Sequence, residues 1–588
     1  MRLLPDPRRL HPNSEEMYAL AAVAQVPRLL GSLDREPDSE TFGSFDREHW
    51  AWKFRDFPIT MLQTAIYPLA LLWSHPFPDN PCYQQPRVLR WIEGAVKSTC
   101  ARQHRNGAFD SVAPYTRSYG VTLAVIHCLT EVLRVVGEDL RPETLDLIRT
   151  TVQRGCEFAR EGQEDYAFIS NHQALFALGW LNASELLNEP QYRARAEETI
   201  EEILRHQSPE GWYREYDGPD PGYESLGISY LAKYWQRTRS SRVLESLQHS
   251  IEFYAHCIHP DGSIGGIYGS RHTQLYFPAG FEILAAELPV AGAIAAFMRE
   301  RLVQGNVLTP AVSDPENLAP LVCAYLEASV VAEPPQKQLP RLPHEVLSGL
   351  HHYPEAGLTF VGTRRYYSVV STAKGGVCRI FDRQTQRIAY EDSGYVVCAS
   401  GRRWSSQHLG SGKKAECAEE NRLVCEAVFS KVLQELSTPA KFLLLRLMNL
   451  TLFRNRAAGE WLQGLIVKRL IRKESPGPLR LRRAIRFGAE QIDFCDQIEL
   501  TAPVQVSEIA LSRSFLPIHM GSAKYFHPSE LIPLPEAPVK GMVRELNEKR
   551  RARCEFTVRF SDAGGPELYF GPSREAGETV ETEAYPHR

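Results

Sequence analysis

Three polar islands interrupt an apolar, helix-periodic first half of the chain: Asn171-His172, the run Gly222 to Tyr230, and Gly269 to Thr273. Their residue types suit a β-elimination on a uronic acid. That reaction needs a cation or hydrogen-bond donor to neutralise the sugar carboxylate, so that the C5 proton becomes acidic. A base then removes that proton, and an acid protonates the departing O4. Asn171, His172, Tyr223, Arg271 and His272 are the candidates for these parts. The chemistry needs neither a metal-bound water nor a pair of carboxylates.

Each island also has a plainer reading. Ser170 or Asn171 suits the start of the apolar helix that follows, where a side chain satisfies free N–H groups. Capping does not explain the adjacent His172, and a helix start also favours an anion. Tyr223 follows the turn 217–222, where a side chain can face a cleft. Its phenol titrates near 10 in water, so it needs a nearby cation or donor to act as a base. Tyr230 falls about two turns further on, where core packing is the plainer expectation. Arg271-His272 leaves a glycine-rich loop that permits tight turns. A guanidinium fork there would hold a carboxylate or sulfate, with His272 as donor or acid. No Lys-Ser/Thr follows Gly265-Gly266, so this is not a phosphate loop.

A fourth island, His104 to Tyr119, offers Arg105, Asn106, Tyr115 and Tyr119 for binding a sugar and its carboxylate. Ordinary capping by Ser118 competes with that reading. Trp212 could stack on a sugar or fill the core. Glu224, Tyr230 and His408 complete the binding candidates, although His408 also suits a solvated loop. His344, His351 and His352 lack a ligand spacing, so neither a metal nor a cofactor is expected.

Composition narrows the classes. At 588 residues the chain should hold two or three domains. Hydrophobic residues at 43% and charged residues at 23% describe a soluble globular protein. A net charge of -4 gives no basic field for nucleic acid. The most basic stretch, Lys468 to Arg483, reads as solvated strand faces or as a polyanion-binding face. No signal peptide opens the sequence, and no run matches a membrane span. The 12 Cys show no paired short spacing. Reduced thiols in a bacterial cytoplasm are the expectation.

Helical periodicity runs from about residue 15 to 330 in some twelve segments, joined by short loops rich in Pro, Gly, Asp and Asn. They include 15–33, 118–136, 171–187, 225–234 and 281–288. Helical hairpins stacked into an incomplete toroid follow, over 1–332. Prolines cluster in a linker at 333–345, and a short helix is expected within 342–353. Short β-type runs then fill 346–588, implying an antiparallel β-sandwich. The segments 441–452 and 462–471 are read as strands there.

A helical toroid followed by a sandwich resembles the heparinase II/III-like group of polysaccharide lyases, within the wider set that includes chondroitin and alginate lyases. The resemblance covers most of the chain. It rests on Asn171-His172 at a helix start, on Tyr223-Glu224 through Tyr230, and on Tyr366-Tyr367-Ser368 through Phe381-Asp382. It implies that Asn171 binds the substrate carboxylate, that His172 assists or acts as base, and that a Tyr near 223 transfers the proton. Ser225 stands where the group has a Gly directly after the Glu. The implied substrate is an acidic polysaccharide or oligosaccharide, and the product an unsaturated uronate. Two rivals remain. One is a glycoside hydrolase, with two carboxylates drawn from Asp217, Asp220 and Glu224. The other is a non-catalytic acidic-glycan-binding protein of a polysaccharide-producing system.

Overall fold

Prolines and short polar side chains mark where the helices begin. Pro86, Pro142, Pro190, Pro221 and Pro315 each sit in a first turn, where their missing N–H costs nothing. Ser118, Asp220, Ser240 and Asp314 accept backbone N–H groups as caps. A computed structural model describes residues 16–160, 162–163, 167–304, 307–407, 412–419, 421–432, 438–455, 458, 461, 476–511, 515–518, 520–534, 539, 541–561 and 567–570.

The chain falls into two units. The helical unit comprises 1–346 with two later segments, 433–473 and 518–532. The β unit comprises 347–432, 474–517 and 533–588.

In the helical unit, inner helices Ile66–Ser74, Tyr119–Val136, Ser170–Leu187, Pro221–Thr238, Ala279–Leu284 and Pro315–Val331 pack in that order. The last packs on the first, so the inner circuit closes. Outer helices such as Pro86–Cys100, Pro142–Ala159, Pro190–His206 and Ser241–His256 back the inner ones. One continuous apolar core binds the circuit. The stretch Tyr119–Asp139 is long and apolar enough to cross a membrane, but 72% of it is buried inside the circuit, as in a core helix.

The β unit holds two antiparallel sheets. One is a meander of β1 (Gly349–Tyr353), β2 (Leu358–Gly362), β3 (Tyr366–Ser371), β4 (Val377–Asp382) and β5 (Arg387–Asp392). The other contains β6 (Tyr395–Ala399), β7 (Arg402–Ser405), β8 (Gly412–Glu419), β9 (Arg422–Lys431), β10 (Pro476–Phe487), β11 (Gln491–Leu500), β12 (Val506–Leu511), β13 (Arg551–Arg559) and β14 (Glu567–Phe570). Its order is β12-β6-β7-β9-β10-β11-β13-β14, with β8 paired to β9. The sheets share a core in which Tyr390 of β5 meets Phe494 of β11 and Phe556 of β13. Buried Arg483 ties them further, at 2.6 Å from Asp392 and 2.7 Å from Asp496. The fold is thus the expected helical toroid followed by an antiparallel sandwich.

Several local expectations need correction. Residues 441–452 were expected as a strand, but Pro439–Leu450 is a helix. Thr438 caps it and Pro439 occupies its first turn, and leucine favours a helix wherever a cap allows one. The single helix expected over 15–33 is two, Glu16–Val23 and Val26–Ser32, broken just before Pro27. The helix expected at 281–288 ends at Leu284. The linker helix is the single turn Pro343–Val346. The strand expected at 462–471 lies outside the described residues.

Candidate functional site

The loop between Pro190–His206 and Pro221–Thr238 carries the centre of the site. Glu215 bridges to Ile169 on one side and to Gly218 on the other, which fixes the loop against the start of helix Ser170–Leu187. The Glu215 carboxyl then accepts both donors of Asn171: the backbone N–H at 2.9 Å and Nδ2 at 2.7 Å. Glu215 is 0% exposed. Burial pushes its carboxyl up to about 8, although Asn171 and nearby His172 pull the other way. Burial thus favours its protonated form.

Asp220 organises the next layer. It caps helix Pro221–Thr238, with Oδ1 accepting the Tyr223 N–H at 3.3 Å. Its Oδ2 accepts the Arg271 N–H at 2.8 Å and the Thr273 N–H at 3.4 Å, and Thr273 Oγ1 donates to Oδ1. One carboxylate thus pins the Arg271 loop to the start of the helix that bears Tyr223. Gly222 permits the approach, since a Cβ there would lie 2.4 Å from Thr273 Oγ1.

Arg271 is 3% exposed, and its guanidinium lies over the Tyr216 ring at 3.8 Å. Tyr216 holds a left-handed φ of 63° that turns its ring there. The Asp217 carboxylate is 3.8 Å from Nη2, too far for a hydrogen bond. Nε and Nη2 of Arg271 have no hydrogen-bond partner among the described residues. Burial lowers the guanidinium from its usual range, while Tyr216, Asp217, Asp220 and Glu215 oppose the shift.

Tyr223 shares a 2.7 Å hydrogen bond with Ser522, and Met520 Sδ lies 4.0 Å from its hydroxyl. Both partners come from the segment 518–532, which belongs to the helical unit. Burial pushes the phenol well above its ordinary value; Asp220, Tyr216 and Glu215 add to the shift, and the Ser522 hydrogen bond opposes it. The environment keeps the proton on Tyr223.

His172 lies one residue along from Asn171, half-buried, with its ring centroid 6.1 Å from Phe176. Phe176 in turn meets Tyr119 edge-on at 5.2 Å, which sets Tyr119 against the helix carrying Asn171. His272 is buried with a φ of 62°. The structure therefore gathers Asn171, His172, Glu215, Tyr216, Asp220, Tyr223 and Arg271 around two helix starts and two loops.

The other candidates fall elsewhere or inside. Arg105 and Asn106 are exposed on the turn after helix Pro86–Cys100. Tyr115 has a φ of 66°, with His104 5.9 Å away and Arg454 5.3 Å over its ring. Trp212 is 8% exposed and donates to Glu210 at 3.1 Å, so its ring offers no open face. Glu224 is fully buried, where its Oε1 accepts from Tyr213 N–H and Ser250 Oγ at 3.2 and 2.9 Å. Its carboxyl is pushed up to about 8, chiefly by burial. Tyr230 lines a cavity of about 80 Å³ inside the helical circuit, with His127, Lys233 and Glu327. His408 lies outside the described residues. Among the described residues, no cluster of three His, Cys, Asp or Glu is placed to hold a metal.

Sequence reasoning missed Glu215 and Ser522. Glu215 sits among turn residues with no periodicity to mark it. Ser522 is 299 residues from Tyr223, and nothing local announces that contact.

Comparison with protein-family models and with curated proteins gives no sequence match. Comparison of folds does. Chondroitin AC lyase of Streptomyces coelicolor A3, solved with chondroitin sulphate, aligns at a TM-score of 0.53 and 11% identity. That alignment covers 85% of this chain and 68% of the other. A Paenibacillus xanthan lyase aligns at 0.50 and 11%, covering 84% of this chain and 46% of its own length. Heparinase III aligns at 0.47 and 11%, covering 84% and 72%. At such identities the likeness to the chondroitin AC and xanthan lyases is one of fold alone, a helical toroid with an antiparallel β region.

Proposed function

We propose that the chain is a carbon–oxygen lyase that cleaves a uronic-acid-containing polysaccharide or oligosaccharide by β-elimination. The observation that carries this reading is Arg271: a buried guanidinium, fixed through its backbone N–H and through Tyr216, with two nitrogens left without a hydrogen-bond partner among the described residues. Such a fork suits a substrate carboxylate. The second N–H of the Asn171 amide and the proton of neutral Glu215 would share that carboxylate. Charge drawn off it acidifies the C5 proton.

His172 is the base in this reading. It accepts the C5 proton, the C4–O4 bond breaks, and a C4–C5 double bond forms. Tyr223 gives its proton to the departing O4. A phenol held protonated suits an acid better than a base, which assigns Tyr223 the donating role. His272 stays a partner candidate on the same loop as Arg271, and Tyr119 and Tyr115 would line the sugar path.

The hydrolytic rival loses support because two of its three carboxylates, Asp220 and Glu224, serve the fold. Both oxygens of Asp220 accept hydrogen bonds that hold Tyr223, Arg271 and Thr273, and Glu224 is fully buried in the first turn of helix Pro221–Thr238. The test is ultraviolet absorbance of the conjugated uronate across a panel of acidic polysaccharides and their oligosaccharides. The reading predicts a rise that Arg271→Ala and Tyr223→Phe abolish. New reducing ends without absorbance would replace it with hydrolysis, and binding without any new ends would replace it with a non-catalytic role.

A further inference from the structure

We propose that the solvent face of the nine-stranded sheet is a second binding site, one that takes an acidic polysaccharide chain. The choice of glycan rests on the proposed lyase reading; the site itself rests on the β unit alone.

A groove of about 630 Å³ lies across β9, β10, β11 and β13. Arg480, Arg482, Gln497, Glu499, Arg551 and Arg553 line it, and all six are exposed. Strand alternation produces the pattern. In β10, Leu479, Leu481, Arg483 and Ile485 point into the sandwich, so Arg480 and Arg482 must point out. Register then builds two rows. Arg480 faces Glu499, which faces Arg551; Arg482 faces Gln497, which faces Arg553. The rows are about 7 Å apart along a strand, and the cations within a row about 10 Å apart across two strands.

These guanidiniums are unequally engaged. Arg551 meets Glu499 at 3.0 Å, and Arg553 pairs with Glu555. Arg482 approaches Glu426 only at 3.9 Å. Among the described residues no carboxylate lies within ion-pair distance of Arg480. The groove therefore keeps one guanidinium, Arg480, without an ion pair among the described residues and a second, Arg482, only loosely held, both suited to carboxylate or sulfate groups. Glu426, Glu499 and Glu545 also border it, and Glu499 and Gln497 offer acceptors to sugar hydroxyls. An open face lined by exposed side chains fits a passing chain rather than an enclosed small molecule. Among the described residues no aromatic side chain lines it, so nucleic-acid bases have no stacking platform.

The test compares wild type, Arg480→Ser/Arg482→Ser and Tyr223→Phe for binding to chondroitin sulfate chains and to polygalacturonate, by calorimetry. Both substituted arginines are exposed and lie outside the core. The proposal predicts about tenfold weaker binding of at least one polymer by the double arginine variant. Tyr223→Phe should bind that polymer like wild type, whether or not any lyase activity exists. If activity is found, the arginine variant should turn over a tetrasaccharide normally while its KM for long chains rises. Unchanged polymer binding by the arginine variant, no polymer binding by wild type, or equal binding of single-stranded DNA would each overturn the proposal.

Discussion

The side-chain amide of Asn171 donates to Glu215 Oε2 at 2.7 Å, while the backbone N–H of Asn171 donates to Oε1 at 2.9 Å. Two donors of one residue thus converge on one buried carboxyl at the start of a helix. The position that resembles a substrate-carboxylate seat already contains an acid of the protein itself. Burial favours the protonated form of that acid, which would repel an incoming carboxylate less than a charged one.

Asn171→Ala removes one of these donors and leaves a buried Glu215 oxygen unsatisfied. The expected cost is about 1–3 kcal/mol of folding stability, read from the denaturation midpoint. Asn171→Asp should be worse, because it sets a second carboxyl against the first. Wild-type stability in both variants would mean that the Asn171–Glu215 contact does not hold the loop.

Stability should fall as pH rises from about 5 to 8. Glu215 and Glu224 keep their protons to about 8 in the folded chain, whereas their ordinary value is 4.5. Between those values the folded state binds more protons than the unfolded one, so raising pH favours unfolding. The Glu215→Gln/Glu224→Gln variant should lose much of that slope. A melting temperature that climbs through this window because of these two residues would contradict their placement.

The reach of the sequence is seen in particular elements. The helix expected over 118–136 is found as Tyr119–Val136, because apolar spacing and a Ser118 cap agree. Helix Pro439–Leu450 is misread because a nearly continuous leucine run has no period, and Phe442, Leu443, Leu444 and Leu447 stand exposed with no apolar face turned inward. At the site, Asn171, Tyr223 and Arg271 are legible as polar islands in apolar surroundings. Glu215 is not, since its role arises from burial and from a bridge to Ile169. Asp220 is legible only as a carboxylate, and its function as a three-way anchor depends on the fold bringing residues 271–273 to it.

Arg271→Lys tests geometry against charge. A lysine keeps the cation but loses the fork and the flat contact with Tyr216. The expected loss in kcat/KM is about 30-fold, or about 2 kcal/mol of transition-state binding. Full activity in the lysine variant would mean that a point charge suffices there.

Glu224→Gln separates elimination from hydrolysis. The amide oxygen can keep the hydrogen bonds from Tyr213 N–H and Ser250, and an amide NH2 replaces Oε2, which has no hydrogen-bond partner among the described residues. The account expects activity within about threefold of wild type, against about 10²–10⁴-fold losses for a group that transfers a proton. A large loss with a normal fold would return Glu224 to the chemistry.

The most direct measurement is the ultraviolet absorbance of wild type and Tyr223→Phe acting on uronic-acid polysaccharides, followed across pH. The account predicts an unsaturated product from wild type on at least one such glycan. It also predicts a loss of about 10²-fold or more on removing the Tyr223 hydroxyl, with the fold retained. An unsaturated product formed equally fast by Tyr223→Phe, or new chain ends that never absorb, would contradict it.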